Sequence, residues 1–351
     1  MVGIRELARH LEISIGTVSR ALNDRADVNP ITRQRVRDAA AMLGYSPNQS
    51  GRSLRRGQTD LVGVIIPGGA GDALINMVFL YVLAGLRRRL SDESLDLAIF
   101  LEDGGDDRLE SLRRVTERAL VDAVIIADTA RDDPRADYLA KLGKPFVAFG
   151  RTRSPLEHAW IDPDFEAAVD GAVEHLVRLG HRRIALLLQD AQTNYVDIIG
   201  QSYRRSMRRW GLRSNEGWDL RRPAGERGGL AAAEALLASD PRPTAVLISD
   251  SMHAVALYRR LGEAGMLPGR ELSIVGILPE TRAQSLIPAL TSYQTDWTRI
   301  GDCLGEAVIL ELARAAERRR SGDVAARQRV KSPMQLKIPV ELKPGDSVGP
   351  I

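Results

Sequence analysis

Ser14-Ile15-Gly16-Thr17-Val18-Ser19-Arg20-Ala21-Leu22-Asn23 decides the reading of this chain. Val18, Ala21 and Leu22 fall on one face of a helix, and Ser14 is placed to cap it, its hydroxyl accepting an orphan backbone N–H. Ile15, Gly16, Ser19 and Arg20 are left facing outward. Just upstream, Ile4, Leu7, Ala8 and Leu11 recur at helical spacing. Two short helices joined by a tight turn, the second presenting small and polar side chains and an Arg, fit a helix-turn-helix. A purely structural three-helix module is the alternative. Downstream, Thr32 is expected to cap a third helix that buries Val36, Ala39, Ala40 and Leu43 and closes at Gly44.

The next run, Ser46-Pro47-Asn48-Gln49-Ser50-Gly51-Arg52-Ser53-Leu54-Arg55-Arg56-Gly57, starts like a helix with a cap and a Pro. Gly51 and the serines make it too weak to stand alone. It reads either as a linker or as a marginal helix whose lone Leu54, flanked by arginines, wedges into a minor groove. From Met1 to Gly57 there are ten Arg against five acidic residues, whereas the whole chain of 351 residues carries only +3. A basic module on a near-neutral body is the electrostatic footprint of a DNA-binding headpiece.

Thr17-Val18-Ser19-Arg20-Ala21-Leu22-Asn23, Thr32-Arg33, Leu43-Gly44-Tyr45-Ser46-Pro47-Asn48 and Leu54, in this order and spacing, resemble the lactose-repressor (LacI/GalR) family of bacterial transcription regulators. The resemblance continues through Val173-Glu174-His175-Leu176 and Leu179-Gly180-His181-Arg182-Arg183-Ile184-Ala185. It implies that Ile15, Gly16 and Arg20 read bases, that Ser14, Thr17, Ser19 and Asn23 serve phosphates, and that Asn48, Arg52, Leu54 and Arg55 belong to a DNA-contacting hinge.

Beyond the headpiece, short apolar runs alternate with helical periodicity. Strands are expected at 61–67, 95–101, 121–127 and 145–149, and again at 184–188, 245–249 and 272–277. That alternation argues for parallel α/β sheets with helices on both faces. The expected organisation is an all-α helix-turn-helix domain at 1–46, a hinge at 47–59, and an effector-binding and dimerisation domain at 60–343. The resemblance implies a two-lobed periplasmic-binding-protein-like fold, with lobe 1 about 60–160 and 292–323 and lobe 2 about 162–290 and 324–343. Residues 344–351 are expected to be a tail.

Ligands of such lobes sit beyond the carboxyl ends of the strands, here in the cleft between lobes. The candidates are Gly69, Asn76, Phe79, Phe149, Arg151, Tyr195, Asp197, Ser249, Asp250 and Leu278. Sugar-binding members of the family use an Arg, an Asn and an Asp where this chain has Asp197, Ser249 and Leu278. An apolar or mismatched side chain leaves sugar hydroxyls unpaired. The effector is therefore read as a larger or modified carbohydrate held by other residues, a non-sugar metabolite, or none. Gly68-Gly69-Ala70-Gly71-Asp72 lacks the spacing and the Lys of a P-loop.

No Ser/Cys–His arrangement, metal-ligand cluster or nucleotide fingerprint is visible, and the five histidines are scattered. No catalytic or metal site and no cofactor is expected. Cys303 is the only cysteine, which excludes an intrachain disulfide. No apolar run reaches membrane-spanning length and the start is polar, so a cytoplasmic protein without membrane contact is expected. The function expected is a sequence-specific, effector-controlled transcription regulator, a repressor acting as a homodimer on a pseudo-palindromic operator. A solute-binding protein shares the two-lobed fold but would lack the Ser14–Leu54 module.

Overall fold

The computed structural model describes residues 3–22, 25, 27–45, 58–66, 77–102, 107–213, 216–277, 285–321 and 332–351. The chain divides into two compact units, 1–59 and 60–351.

The first unit holds three helices, α1 (Ile4–Leu11), α2 (Ile15–Leu22) and α3 (Pro30–Met42). Two of them have only eight residues, too few to persist alone in water. Tertiary burial stabilises them: Leu7, Ala8, Val18, Ala21, Val28, Val36, Ala39 and Ala40 form one apolar core. The third helix starts earlier than the sequence suggests. Asn29, not Thr32, is its cap, accepting from Ile31 N–H at 2.9 Å, and Pro30 takes the first helical position, where a missing N–H costs nothing. Gly44 closes the helix at φ +63°. The run 46–57 lies outside the described residues.

The second unit is built on two six-stranded sheets. The chain runs β1 (Leu61–Ile66), α4 (Met77–Ser91), β2 (Asp96–Leu101), α5 (Glu110–Glu117), β3 (Ala123–Ile126), α6 (Pro134–Leu142), β4 (Phe146–Phe149), β5 (Ala159–Pro163) and α7 (Phe165–Arg178). It continues β6 (Ile184–Gln189), α8 (Asn194–Arg209), β7 (Asp219–Arg222), α9 (Glu226–Ala238), β8 (Ala245–Ile248), α10 (Ser251–Glu263), β9 (Ser273–Ile277), β10 (Thr291–Gln294), α11 (Trp297–Ser321), β11 (Gln335–Ile338) and β12 (Glu341–Lys343). The first sheet has the order β11-β5-β4-β3-β1-β2 and is parallel throughout. The second has the order β12-β10-β9-β8-β6-β7, parallel except for β12 against β10. Central strands β3, β8 and β9 are buried along their whole length, as parallel strands covered on both faces must be.

Strand pairing corrects the expected division of the lobes. β10 pairs with β9 in the second sheet, and β11 pairs with β5 in the first, so 291–294 and 335–338 exchange lobes relative to the sequence reading. The chain therefore crosses between lobes after β5, after β10 and after β11. Nor is 344–351 a free tail. Ser347 is fully buried, its hydroxyl donating to Ile274 O at 2.6 Å and accepting from Thr291 N–H at 2.8 Å. His181 Nε2 donates to Gly349 O at 3.0 Å, and Ile351 N–H reaches Leu179 O.

Helices α4 and α11 approach at two glycines. A Cβ on Gly301 would lie 2.0 Å from Val82 O, and one on Gly85 would lie 2.0 Å from Thr298 O. Backbone oxygens cannot swing aside as a flexible side chain can. Gly301→Ala should therefore cost about 1–3 kcal/mol or more, read as a lowered urea midpoint. Gly262→Ala in α10 is the control. Nothing lies within 4 Å of the added methyl, and loss of chain freedom in the unfolded state should give about 0.4–1 kcal/mol of stabilisation.

Candidate DNA interface and effector cleft

Ser14 opens α2 as a cap: its Oγ accepts from Thr17 N–H at 3.0 Å and lies 2.8 Å from Thr17 Oγ1. This fixes the start of the helix, with Val18 and Ala21 turned into the core. Ile15, Gly16 and Arg20 are exposed, while Thr17 and Ser19 are half-buried beside them. A side chain at 16 would meet only Ser14 Oγ, at 3.6 Å, so the glycine leaves that face flat. The Arg20 guanidinium is held loosely, 3.8 Å from Asp27 and more than half exposed. Arg33 ties down the connection between α2 and α3, donating to Arg25 O and Val28 O. The outcome is an exposed apolar–small–cationic strip on a capped helix, the chemistry needed to approach base edges. Asn23, Asn48, Arg52, Leu54 and Arg55 lie outside the described residues.

In the second unit, the cleft candidates come from strand ends of both lobes. Phe79 of α4 and Phe149 at the end of β4 meet edge to face, with ring centroids 6.0 Å apart. Tyr195, in the first turn of α8, stacks on Phe165 at 5.6 Å. Burial pushes the Tyr195 phenol well above its ordinary range, and the carboxylates of Asp128 and Asp250 push it further. It therefore stays a neutral hydroxyl. Asp250 caps α10, accepting from Met252 N–H and His253 N–H at 2.7 and 2.9 Å. Ser249 Oγ is buried without a hydrogen-bond partner. Asp197 sits 3.6 Å from Arg221. Gly69, Asn76 and Leu278 lie outside the described residues.

Arg151 has a different role from the one its position suggests. Its Nε donates to Asp162 at 2.7 Å, and its two Nη atoms donate to the carboxylate of Glu166 at 2.7 and 2.8 Å. The guanidinium also lies 5.7 Å from the Trp160 ring centroid. Thus its charge joins β5 to the first helix of lobe 2. Lys337 Nζ adds a contact to Glu166 at 3.1 Å.

The sequence reading placed Asn194 within a candidate cleft segment, 189–197, but did not single out Asp128 or Thr129. Thr129 O accepts from Asn194 N–H at 2.8 Å, and Arg151 O accepts from Asn194 Nδ2 at 2.6 Å. Asp128 sits at φ +52° at the edge of a buried ion cluster. In that cluster the fully buried Arg135 pairs with Asp133 at 2.8 Å and with Glu102 at 2.5 Å, and Arg108 lies 3.7 Å from Asp128. A run with as many charges as Asp128-Thr129-Ala130-Arg131-Asp132-Asp133-Pro134-Arg135 could have signalled a built loop.

Burial opposes ionisation of Glu166, but the hydrogen bonds from Arg151, a backbone N–H and Lys337 outweigh it and hold the carboxyl at about 2. A depressed carboxyl pKa contributes stability that is present above the ordinary value near 4.5 and is lost as pH falls through about 2. Glu166→Gln should therefore lower stability at pH 7, by about 1.5–3 kcal/mol on the scale of charged hydrogen bonds. It should also flatten the acid limb between pH 4.5 and 2, measured by urea unfolding across that range.

Residues 3–48 match the model of the bacterial regulatory proteins of the lacI family, and residues 173–348 match that of the periplasmic binding protein-like domain. The transcriptional regulator RafR of Escherichia coli is 35% identical over 271 residues, covering 77% of this chain and 79% of that protein. Among solved structures, the lac repressor dimer bound to operator and the anti-inducer ONPF has a TM-score of 0.82 at 22% identity, over 99% of both chains. The complex of the transcriptional regulator CelR with cellobiose has a TM-score of 0.72 at 22% identity, over 99% of this chain and 100% of that one. No helix among the described residues is long and apolar enough to cross a membrane. With the two family models matched in order along the chain, and RafR 35% identical over more than three quarters of each protein, the chain belongs to the lacI family of bacterial regulatory proteins: it is a DNA-binding transcription regulator.

Proposed function

We propose that this regulator is a cytoplasmic repressor without enzymatic activity, that it binds a pseudo-palindromic operator as a homodimer, and that a carbohydrate larger than a monosaccharide, held between its lobes, sets its DNA affinity. The observation that carries the DNA reading is the capped helix α2 with Ile15, Gly16 and Arg20 on its exposed face. Laid in a major groove, Arg20 donates two hydrogen bonds to a guanine, while Ser14, Thr17, Ser19 and Asn23 serve phosphates. The segment containing Asn48, Arg52, Leu54 and Arg55 follows as a minor-groove wedge.

Two-fold pairing is supported by exposed apolar side chains on adjoining elements of lobe 1: Leu80 and Tyr81 on α4, and Ile99 and Leu101 on the edge strand β2. A large apolar patch of this kind marks an interaction surface. For the effector, two aromatic pairs offer flat apolar walls. The CelR structure is a cellobiose complex, which is in keeping with an effector of more than one sugar ring. Asp197, standing where sugar-binding relatives have an Arg, favours a second reading in which the effector is a non-sugar cation.

Selection of duplexes from a random library by the full-length protein tests the first half. The expected product is a site with two-fold symmetry. Arg20→Ala should lose about 1–3 kcal/mol on that site and relax the preference at one position in each half. A uniform loss on all duplexes, with every base preference retained, would remove Arg20 from base reading. The effector is tested by thermal shift with neutral disaccharides beside monosaccharides and polyamines. Disaccharide stabilisation that rises with concentration, as RT ln(1 + [L]/Kd) demands, is expected. Stabilisation by polyamines alone would select the cationic reading.

A further inference from the structure

We infer that Asn194 is a latch that fastens the two lobes to each other, and that its making and breaking is the local event through which the cleft reports to DNA. The inference rests on the proposed effector reading and names the contact that regulates the same cleft.

Asn194 is the first residue of α8, which packs on the second sheet. Its two bonds both end on lobe 1. The backbone N–H donates to Thr129 O at 2.8 Å, and Nδ2 donates to Arg151 O at 2.6 Å. Ala130 and Thr193 pair as an isolated antiparallel bridge at the same place. Asn194 is 8% exposed, so neither bond competes freely with water.

Both acceptors are held rigidly on their own lobe. Thr129 Oγ1 donates to the same Arg151 O at 3.0 Å. Gly150, at φ +104°, has only 2.6 Å between a would-be Cβ and Thr129 Oγ1, so the two loops of lobe 1 are pressed together. Ala130 N–H donates to Asp133, whose carboxylate is locked by the buried Arg135. Arg131 O receives Arg153 N–H at 2.6 Å and Thr152 Oγ1 at 2.9 Å. Lobe 1 therefore offers two fixed carbonyls, and lobe 2 meets them with one side-chain amide and one backbone N–H of a single residue. Tyr195, the next residue, lies in the candidate effector cleft, so a ligand that shifts the first turn of α8 moves Asn194 with it.

The test uses the full chain with Cys303→Ser, spin-labelled at Leu142→Cys on lobe 1 and Leu267→Cys on lobe 2, and reads the interlobe distance by pulsed electron resonance. Asn194→Asp places a carboxylate against Arg151 O and should lengthen and broaden the distribution. Asn194→Ala, which retains the backbone bond, should do so to a smaller degree and serves if the Asp variant fails to fold. The Kd of Asn194→Asp for a duplex selected by the wild-type protein should change at least fivefold. Asn194→Asp and Asn194→Ala distributions that superimpose on the wild type would overturn the latch. So would an opened distribution with an unchanged duplex Kd. A wild-type protein that selects no duplex would instead sink the DNA reading and the latch's regulatory part, while the distance still decides whether the contact holds the lobes.

Discussion

Three passages of chain join the two sheets, and they are stitched to one another. Asp164, just after β5, donates its N–H to Ile338 O at the end of β11. Thr295, just after β10, donates its hydroxyl to Pro339 O, between β11 and β12. Over this junction sits the Arg151–Asp162–Glu166–Lys337 ion network, which spans β4, β5, α7 and β11. The bidentate Arg151–Glu166 pair favours one arrangement, because an unpaired member would cost more than the pair contributes, while burial pushes the Asp162 carboxyl up to about 7. These contacts tie the lobes together at the junction.

The lobes themselves are stiff. In lobe 1, Gly85 and Gly301 bring the backbones of α4 and α11 into direct contact, so a shift of one helix is felt by the other. In lobe 2, the segment 345–351 threads past β9, β10 and the turn before β6, and Ser347 serves as both donor and acceptor inside that layer. Close-packed bodies joined by a narrow junction move as units, which is the structural condition for a small displacement at a ligand to become a large one elsewhere.

Much of this was legible in the sequence, for physical reasons. Fully apolar strands such as Ala123–Ile126 and Ala245–Ile248 announce themselves because both faces are covered. The capped helix α2 was legible because Ser14 and the Val18–Ala21 face obey local rules. β5 and β7 were not: Ala-Trp-Ile-Asp-Pro and Asp-Leu-Arg-Arg carry charges whose partners lie far along the chain. The same holds for Arg151. Its position after β4 suggested a ligand contact, but Glu166 and Asp162 claim it through pairing that no local pattern encodes. β10 and β11 were assigned to the wrong lobes because only the sheet register reveals which edge a short strand joins. The cap of α3 was a nearer miss: Asn29 and Thr32 are both good caps, and Pro30 decides between them.

The size of the interlobe contact bears on how regulation could work. Two hydrogen bonds shielded from water contribute about 0.5–1.5 kcal/mol each, so the pair made by Asn194 amounts to about 1–3 kcal/mol. Typical coupling free energies between two sites are also about 1–3 kcal/mol. A contact of that size biases an equilibrium between closed and open lobes without locking it. A much stronger bond would hold the cleft shut against any effector of ordinary affinity, and a much weaker one would leave nothing for the effector to change. A ligand shifts such a balance only by its differential affinity for the two states. On the latch proposal, the energy that a ligand redirects resides in this small, well-aligned seam.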